Sequence, residues 1–177
     1  GVAIGGNNTA QFAAARNGTV VYIPEEPRSL VLIGRDGSIR PATPEKRNFH
    51  SPMFSPDGRR IALDFNAPDG RDVWLLNLAD GLLSRATFDR DGHDAVWMPD
   101  GRALTYTSVR KGILTLMRTK PGESQPADVL LSSAQLGYGG VWMPDASALV
   151  TVANSVDSGS DLAWVRGAGK GPIEPLL

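Results

Sequence analysis

The feature that most constrains this chain is a turn spelled three times: MFSPDG at 53–58, VWMPDG at 96–101 and VWMPDA at 141–146. Proline sets φ early in such a turn, aspartate bonds backbone two residues on, and glycine accepts positive φ. An earlier turn glycine, Gly18 in AARNG, extends the series, and the spacings from Gly18 to Gly58, Gly101 and Ala146 are 40, 43 and 45 residues. Four short β-rich runs fit between consecutive turns. A period of ~40–45 residues holding four strands is the pattern of a propeller blade. The sequence therefore predicts an all-β chain: one β-propeller domain over residues 1–177, with four blades of four antiparallel strands at about 9–44, 49–89, 93–132 and 138–177.

The second unit shows the four runs most clearly, as HSPMFS, RIALDFN, DVWLLNL and LLSRATF. The third reads DAVWM, RALTYTS, ILTLMRT and ADVLLS, and the fourth GGVWM, SALVTVA, DLAWVRG and PIEPLL. The first, AQFAAA, TVVYIPE, SLVLIGR and SIRPATP, is looser. Phe54, Trp97 and Trp142 share one column on the innermost strand, where the first unit has Ala14. Large apolar side chains there are expected to wedge between neighbouring blades, each able to bury ~150–250 Å².

The residues FSPDGRRIAL, DVWLLNLADG and RATF, followed by VWMPDGRALTYTS, resemble the WD40-like, or PD40, repeats of TolB-type propellers. AQFAAARNGTVVYIP is similar to propeller regions found C-terminal to bacterial serine/threonine kinase domains. The resemblance runs from about Thr9 to Leu177 and implies a bacterial, noncatalytic binding or scaffold module with a protein or peptide partner, periplasmic or extracytoplasmic rather than cytoplasmic. Two alternatives stay open behind it: the substrate-gating propeller of a prolyl-oligopeptidase-like serine peptidase, or a propeller fragment with no ligand that self-assembles. Two positions depart from the pattern, Gly18 after Arg-Asn and Ala146 in place of the turn glycine. Propellers of this family close with more than four blades. The sequence, opening on GVAIGGNNT, is therefore expected to be a mature product or a piece of a larger ring, or to associate with itself to complete one.

Composition excludes several classes. With 18 Lys and Arg against 19 Asp and Glu, the formal net charge is −1, and nothing draws the chain to nucleic acid. There is no cysteine, so disulfides and thiolate metal sites are ruled out. No apolar run approaches the ~20 residues that span a bilayer, and no membrane association is expected. RGAGKGP at 166–172 lacks the phosphate-loop spacing and reads as a turn between the last two strands. No cofactor motif and no nucleophile elbow are present.

In a propeller, ligands gather where blade-joining loops and the loops between second and third strands share a face. The blade-joining loops are expected at 44–50, 89–94 and 132–140. The only two histidines, His50 and His93, stand eight residues before their turn glycines, and Tyr138 holds that position in the fourth unit. His50, His93 and Tyr138, with Asp94 beside them, are the candidate ligand-binding residues. The competing reading has each imidazole satisfying backbone groups at the start of a strand. DRDGHD at 89–94 starts like a calcium loop, but its twelfth position, Asp100, belongs to the next turn, so no metal is expected.

Overall fold

In a computed structural model, which describes residues 12–14, 20–22, 27–123, 126–155 and 159–176, the recurring turn closes the same way at all three sites. The N–H of Gly58 donates to the Ser55 carbonyl (2.8 Å), that of Gly101 to Met98 (2.9 Å) and that of Ala146 to Met143 (2.8 Å). Asp57, Asp100 and Asp145 each accept the N–H two residues on, from Arg59, Arg102 and Ser147. The Ser55 hydroxyl, then the Arg59 N–H, hold Asp57 below the usual carboxylate range, and the Ser147 hydroxyl does the same for Asp145. The third position has positive φ throughout: 68° at Gly58, 67° at Gly101 and 58° at Ala146.

Contacts divide the chain into two units, 1–49 and 50–177. The first unit carries the four expected strands paired two by two: β1 (Phe12–Ala14) with β2 (Val20–Tyr22), and β3 (Arg28–Ile33) with β4 (Ile39–Arg47). The segment between β2 and β3 contains Pro24 and Pro27, which supply no N–H to a ladder. β4 extends through Arg47, so the first blade-joining loop is shorter than the expected 44–50 and only residues 48–49 separate the strands.

The second unit contains three antiparallel sheets, each with its strands in sequence order. The second blade is β5 (His50–Phe54), β6 (Arg60–Ala67), β7 (Gly70–Asn77) and β8 (Leu83–Arg85). The third is β9 (His93–Trp97), β10 (Leu104–Arg110), β11 (Ile113–Thr119) and β12 (Asp128–Ser132). The fourth is β13 (Val141–Trp142), β14 (Ala148–Ser155), β15 (Gly159–Val165) and β16 (Ile173–Pro175). Four-stranded meanders repeated in this way make the fold an all-β propeller. As expected, RGAGKGP joins the last two strands. Gly169 lies against Trp142, where a Cβ would come within 2.9 Å of the indole.

Alternation along each strand sorts side chains onto two faces, and successive blades seal one face with the next. Ala62, Val73 and Leu75 of the second blade pack with Ala95, Trp97, Leu104, Tyr106 and Met117 of the third. Val96, Leu116 and Leu130 of the third pack with Trp142, Leu149 and Val165 of the fourth. Both tryptophans are buried wedges, and each indole N–H reaches back one blade. Trp97 donates to the Met53 carbonyl (3.2 Å) and Trp142 to the Thr105 hydroxyl (2.8 Å). Phe54 departs from the expected column behaviour and is 54% exposed.

Candidate functional site

The loop 86–92 between the second and third blades is held by its own acidic residues. Asp89 accepts hydrogen bonds from the Tyr106 hydroxyl and, at 2.7 Å, from Arg110. Asp91 accepts the Val109 N–H (2.6 Å) and sits 2.8 Å from Nε2 of His93. Gly92 donates to the Arg71 carbonyl and Arg71 to the Arg90 carbonyl, tying the loop to the hairpin between β6 and β7. That approach requires a glycine at position 70, where φ is 134° and a Cβ would lie 2.5 Å from the Arg90 carbonyl oxygen.

Two fully buried aspartates anchor this end of the second blade. Asp64 pairs with Arg71 and accepts the Asp94 N–H (3.1 Å). Asp72 accepts the Thr87 hydroxyl (2.6 Å), the Arg90 N–H and a guanidinium N–H of Arg85, which also bonds Asp69 (2.9 Å). A buried carboxylate is tolerated only when its lone pairs are filled, and here they are. Hydrogen bonds donated to Asp72 and then to Asp69 push the Arg85 guanidinium upward, and Arg85 draws Asp69 below the usual carboxylate range. Burial, reinforced by Asp89, pushes the Tyr106 phenol well above its ordinary value.

Against this frame each candidate residue has a place. His50 opens β5 opposite Asp64 and His93 opens β9 opposite Thr107, as their shared column requires. Tyr138 lies in the loop before β13, 46% exposed, and its ring meets His93 edge-on with centroids 5.5 Å apart. The fold thus brings His93 and Tyr138 together across two blades. Asp94 spends one carboxylate oxygen on the Ser51 hydroxyl and its N–H on Asp64. Among the described residues no three His, Asp or Glu side chains converge as metal ligands.

Sequence reasoning missed Asp64, Asp72, Arg85, Thr87 and Tyr106. The one signal for Asp64 was a carboxylate in the middle of an apolar run, IALDFN, which only a filled set of partners permits; Asp72, at the head of DVWLLNL after a turn, carried no such signal. A groove of about 530 Å³ opens beside this cluster, lined by Arg85, Phe88, Asp89, Tyr106, Thr119 and Glu123 among others. Its charged groups already bond one another or neighbouring residues: Arg85 to Asp69 and Asp72, Asp89 to Arg110, and Glu123 to Lys120.

No protein-family model matches the chain. A curated relative, the Tol-Pal system protein TolB of Francisella tularensis subsp. holarctica, is 28% identical over 117 residues. That stretch is 64% of this chain and 27% of the relative, so the match covers about a quarter of the relative's length. Among solved structures, TolB from Acinetobacter baumannii superposes with a TM-score of 0.72 at 16% identity, covering 85% of this chain and 40% of that one. A putative TolB from Agrobacterium tumefaciens gives 0.70 at 19%, covering 84% and 56%. A prolyl endopeptidase gives 0.60 at 16%, covering 88% and 27%. The chain has a TolB-like β-propeller fold.

Proposed function

We propose that this chain is a noncatalytic recognition module that binds a protein or peptide partner on the loop face carrying His50, His93 and Tyr138. The observation that carries the reading is the contact of Tyr138 with His93. An exposed tyrosine and an imidazole fixed by Asp91 form one surface across two blades. Tyrosine suits such a role because it offers large contact area at low entropic cost. The occupied carboxylates of Asp64, Asp72 and Asp89 support recognition over acid–base chemistry, since each is committed to a guanidinium, a hydroxyl or a backbone N–H. The TolB relative, named for the Tol-Pal system, favours a role within a protein assembly.

Selection of a displayed peptide library on the purified chain tests this reading. Peptides enriched on the native chain should bind Tyr138→Ala and His93→Ala roughly 30-fold more weakly, the loss of a single interface anchor of about 2 kcal/mol. Equal affinity for native and variant chains would sink the proposal. A second reading, the gating propeller of a prolyl-oligopeptidase-like enzyme, rests on the likeness to the prolyl endopeptidase. A hydrolase domain encoded in the same polypeptide would favour it.

A further inference from the structure

In residues 50–177 the chain entering each blade takes one step that no regular strand takes. Ser51 follows His50 with φ 46°, Asp94 follows His93 with φ 48°, and Gly139 follows Tyr138 with φ 73°. Glycine enters this left-handed region freely, whereas serine and aspartate occupy it at a cost. Such strain persists only where the surrounding structure holds it. Here Asp64 accepts the Asp94 N–H at 3.1 Å, and the Ser51 hydroxyl donates to the Asp94 carboxylate, tying the two strained steps to each other.

The ladders show what the step does. Met53 pairs with Ala62 and the next pair is His50 with Asp64, so β5 carries one residue more than β6 between them. On β9, Val96 pairs with Thr105 and the next pair is His93 with Thr107, the same bulge at the same place. Paired residues share a face of the sheet, as do Thr105 and Thr107, which stand two apart. Val96 and His93 therefore lie on one face, although strict alternation along β9 would put His93 on the other, with Ala95 and Trp97. The two faces look to different blades. Ala95 and Trp97 are sealed against the second blade, whereas Val96 packs with Trp142 of the fourth, whose indole donates to Thr105. One extra residue thus turns His93 from the second blade to the fourth, where the Tyr138 ring meets it.

We propose that Asp94 is a positioning residue of the recognition face: its left-handed step aims His93 at Tyr138. The step at Ser51 turns His50 in the same sense, onto the face that Met53 and Ala62 share. What position 94 has to supply is the backbone conformation, since the chain entering the fourth blade makes the step with glycine and no side chain. The bond from Ser51 to the Asp94 carboxylate is a second and smaller hold. The consequence for binding rests on the recognition reading above; the aim of the His93 ring does not.

Nuclear Overhauser contacts between the His93 and Tyr138 rings, recorded on the 177-residue chain, test the inference. Asparagine and glycine tolerate the left-handed region and a β-branched residue does not. The native chain, Asp94→Asn and Asp94→Gly should all show the contact, and Asp94→Val should lose it. Glycine and valine both forfeit the bond to Ser51, so a difference between them reports the backbone step alone. Lys111→Val meets the same strain at φ 52° in the exposed turn between β10 and β11, and should keep the contact. Peptides selected on the native chain should follow the rings, binding Asp94→Gly and not Asp94→Val. Near-ultraviolet circular dichroism checks that each variant is folded. If valine prevents folding, Asp94→Ala, which can take the step at a cost as Ala146 does, should show a weaker contact than Asp94→Gly. A contact that survives Asp94→Val in a folded chain, is lost as fully in Asp94→Gly, is equal in Asp94→Ala and Asp94→Gly, or disappears in Lys111→Val would overturn the proposal. A native chain that shows the contact yet selects no peptide would instead sink the recognition reading alone.

Discussion

The interface between the second and third blades and that between the third and fourth use the same wedge but differ in everything around it. Beneath Trp97 the joint is laced with charge: Arg60 lies over the indole at 4.6 Å, Asp94 bonds Ser51 and Asp64, and Asp89 ties the linker to Tyr106 and Arg110. Beneath Trp142 the joint is mostly hydrocarbon, with the indole donating to Thr105 and Tyr138 meeting His93 edge-on. The linker 133–140 is bonded to the fourth blade by the Asn154 N–H on the Gln135 carbonyl (2.7 Å) and the Gly137 N–H on the Val152 carbonyl (2.8 Å). One joint has a core and charged stitches, the other a core and a linker held by uncharged, largely backbone bonds. The difference teaches that a blade repeat fixes the wedge, whereas the loops between blades decide how firmly each joint is locked.

The largest expected effect follows from that asymmetry. Trp142→Ala should cost about 3–5 kcal/mol, the usual price of truncating a buried tryptophan. Because the ion pairs Arg118–Asp128 and Arg166–Glu174 each lie within one blade and no charged pair spans this joint among the described residues, the amides of the fourth blade's strands should lose hydrogen-exchange protection as a block. Trp97→Ala removes comparable area but leaves the stitches of Asp89 and Asp94, so the second and third blades should stay coupled in the same experiment. Equal, global loss of protection in both variants would erase the distinction between the joints.

Tyr106→Phe probes the stitches themselves. At neutral pH it should cost roughly 1.5–3 kcal/mol, the range for a hydrogen bond to a charged partner. Burial first, and Asp89 second, raise the folded Tyr106 pKa above its ordinary 10.0, so the fold favours the protonated phenol. That contribution is fully present below pH 10 and is lost as pH rises beyond it. Denaturant titrations at pH 8 and pH 11 should show the native chain losing the more stability, and the variant closing part of the gap. A constant gap would mean that Tyr106 does not titrate with unfolding.

What could be read from the sequence was what repeats. The turn, the four strands of each unit and the Trp97–Trp142 column recur at one period, so alignment alone recovered them. The register of His50 and His93 was legible for the same reason. The polar frame was not, because it belongs to one blade. Position 64 is aspartate, but its equivalents are Thr107 and Val152. Position 72 is aspartate, but its equivalent Thr115 merely meets Ser132 at 3.0 Å. The contact of His93 with Tyr138 also escaped, since it depends on how far one blade is turned from the next. Phe54 shows that sharing a column does not guarantee sharing an environment.

The smallest effect returns to the third and fourth blades, through the residue that closes each turn. Ala146 adopts φ 58° where Gly101 adopts 67°, with the same hydrogen bond three residues back. An L-residue in this region costs roughly 1–2 kcal/mol. Glycine avoids that strain but gives up about 0.5–1 kcal/mol through the greater freedom of its unfolded chain. The difference leaves Ala146→Gly stabilising by about 0.5 kcal/mol, and Gly101→Ala destabilising by the same amount. At Gly101 a Cβ would meet nothing nearer than Pro56 at 3.6 Å, so backbone strain alone sets that second value. Opposite signs of similar size in chemical denaturation would establish that the two turns are interchangeable. If Ala146→Gly destabilises instead, its methyl group contributes packing to the fourth blade that Gly101 does not need in the third.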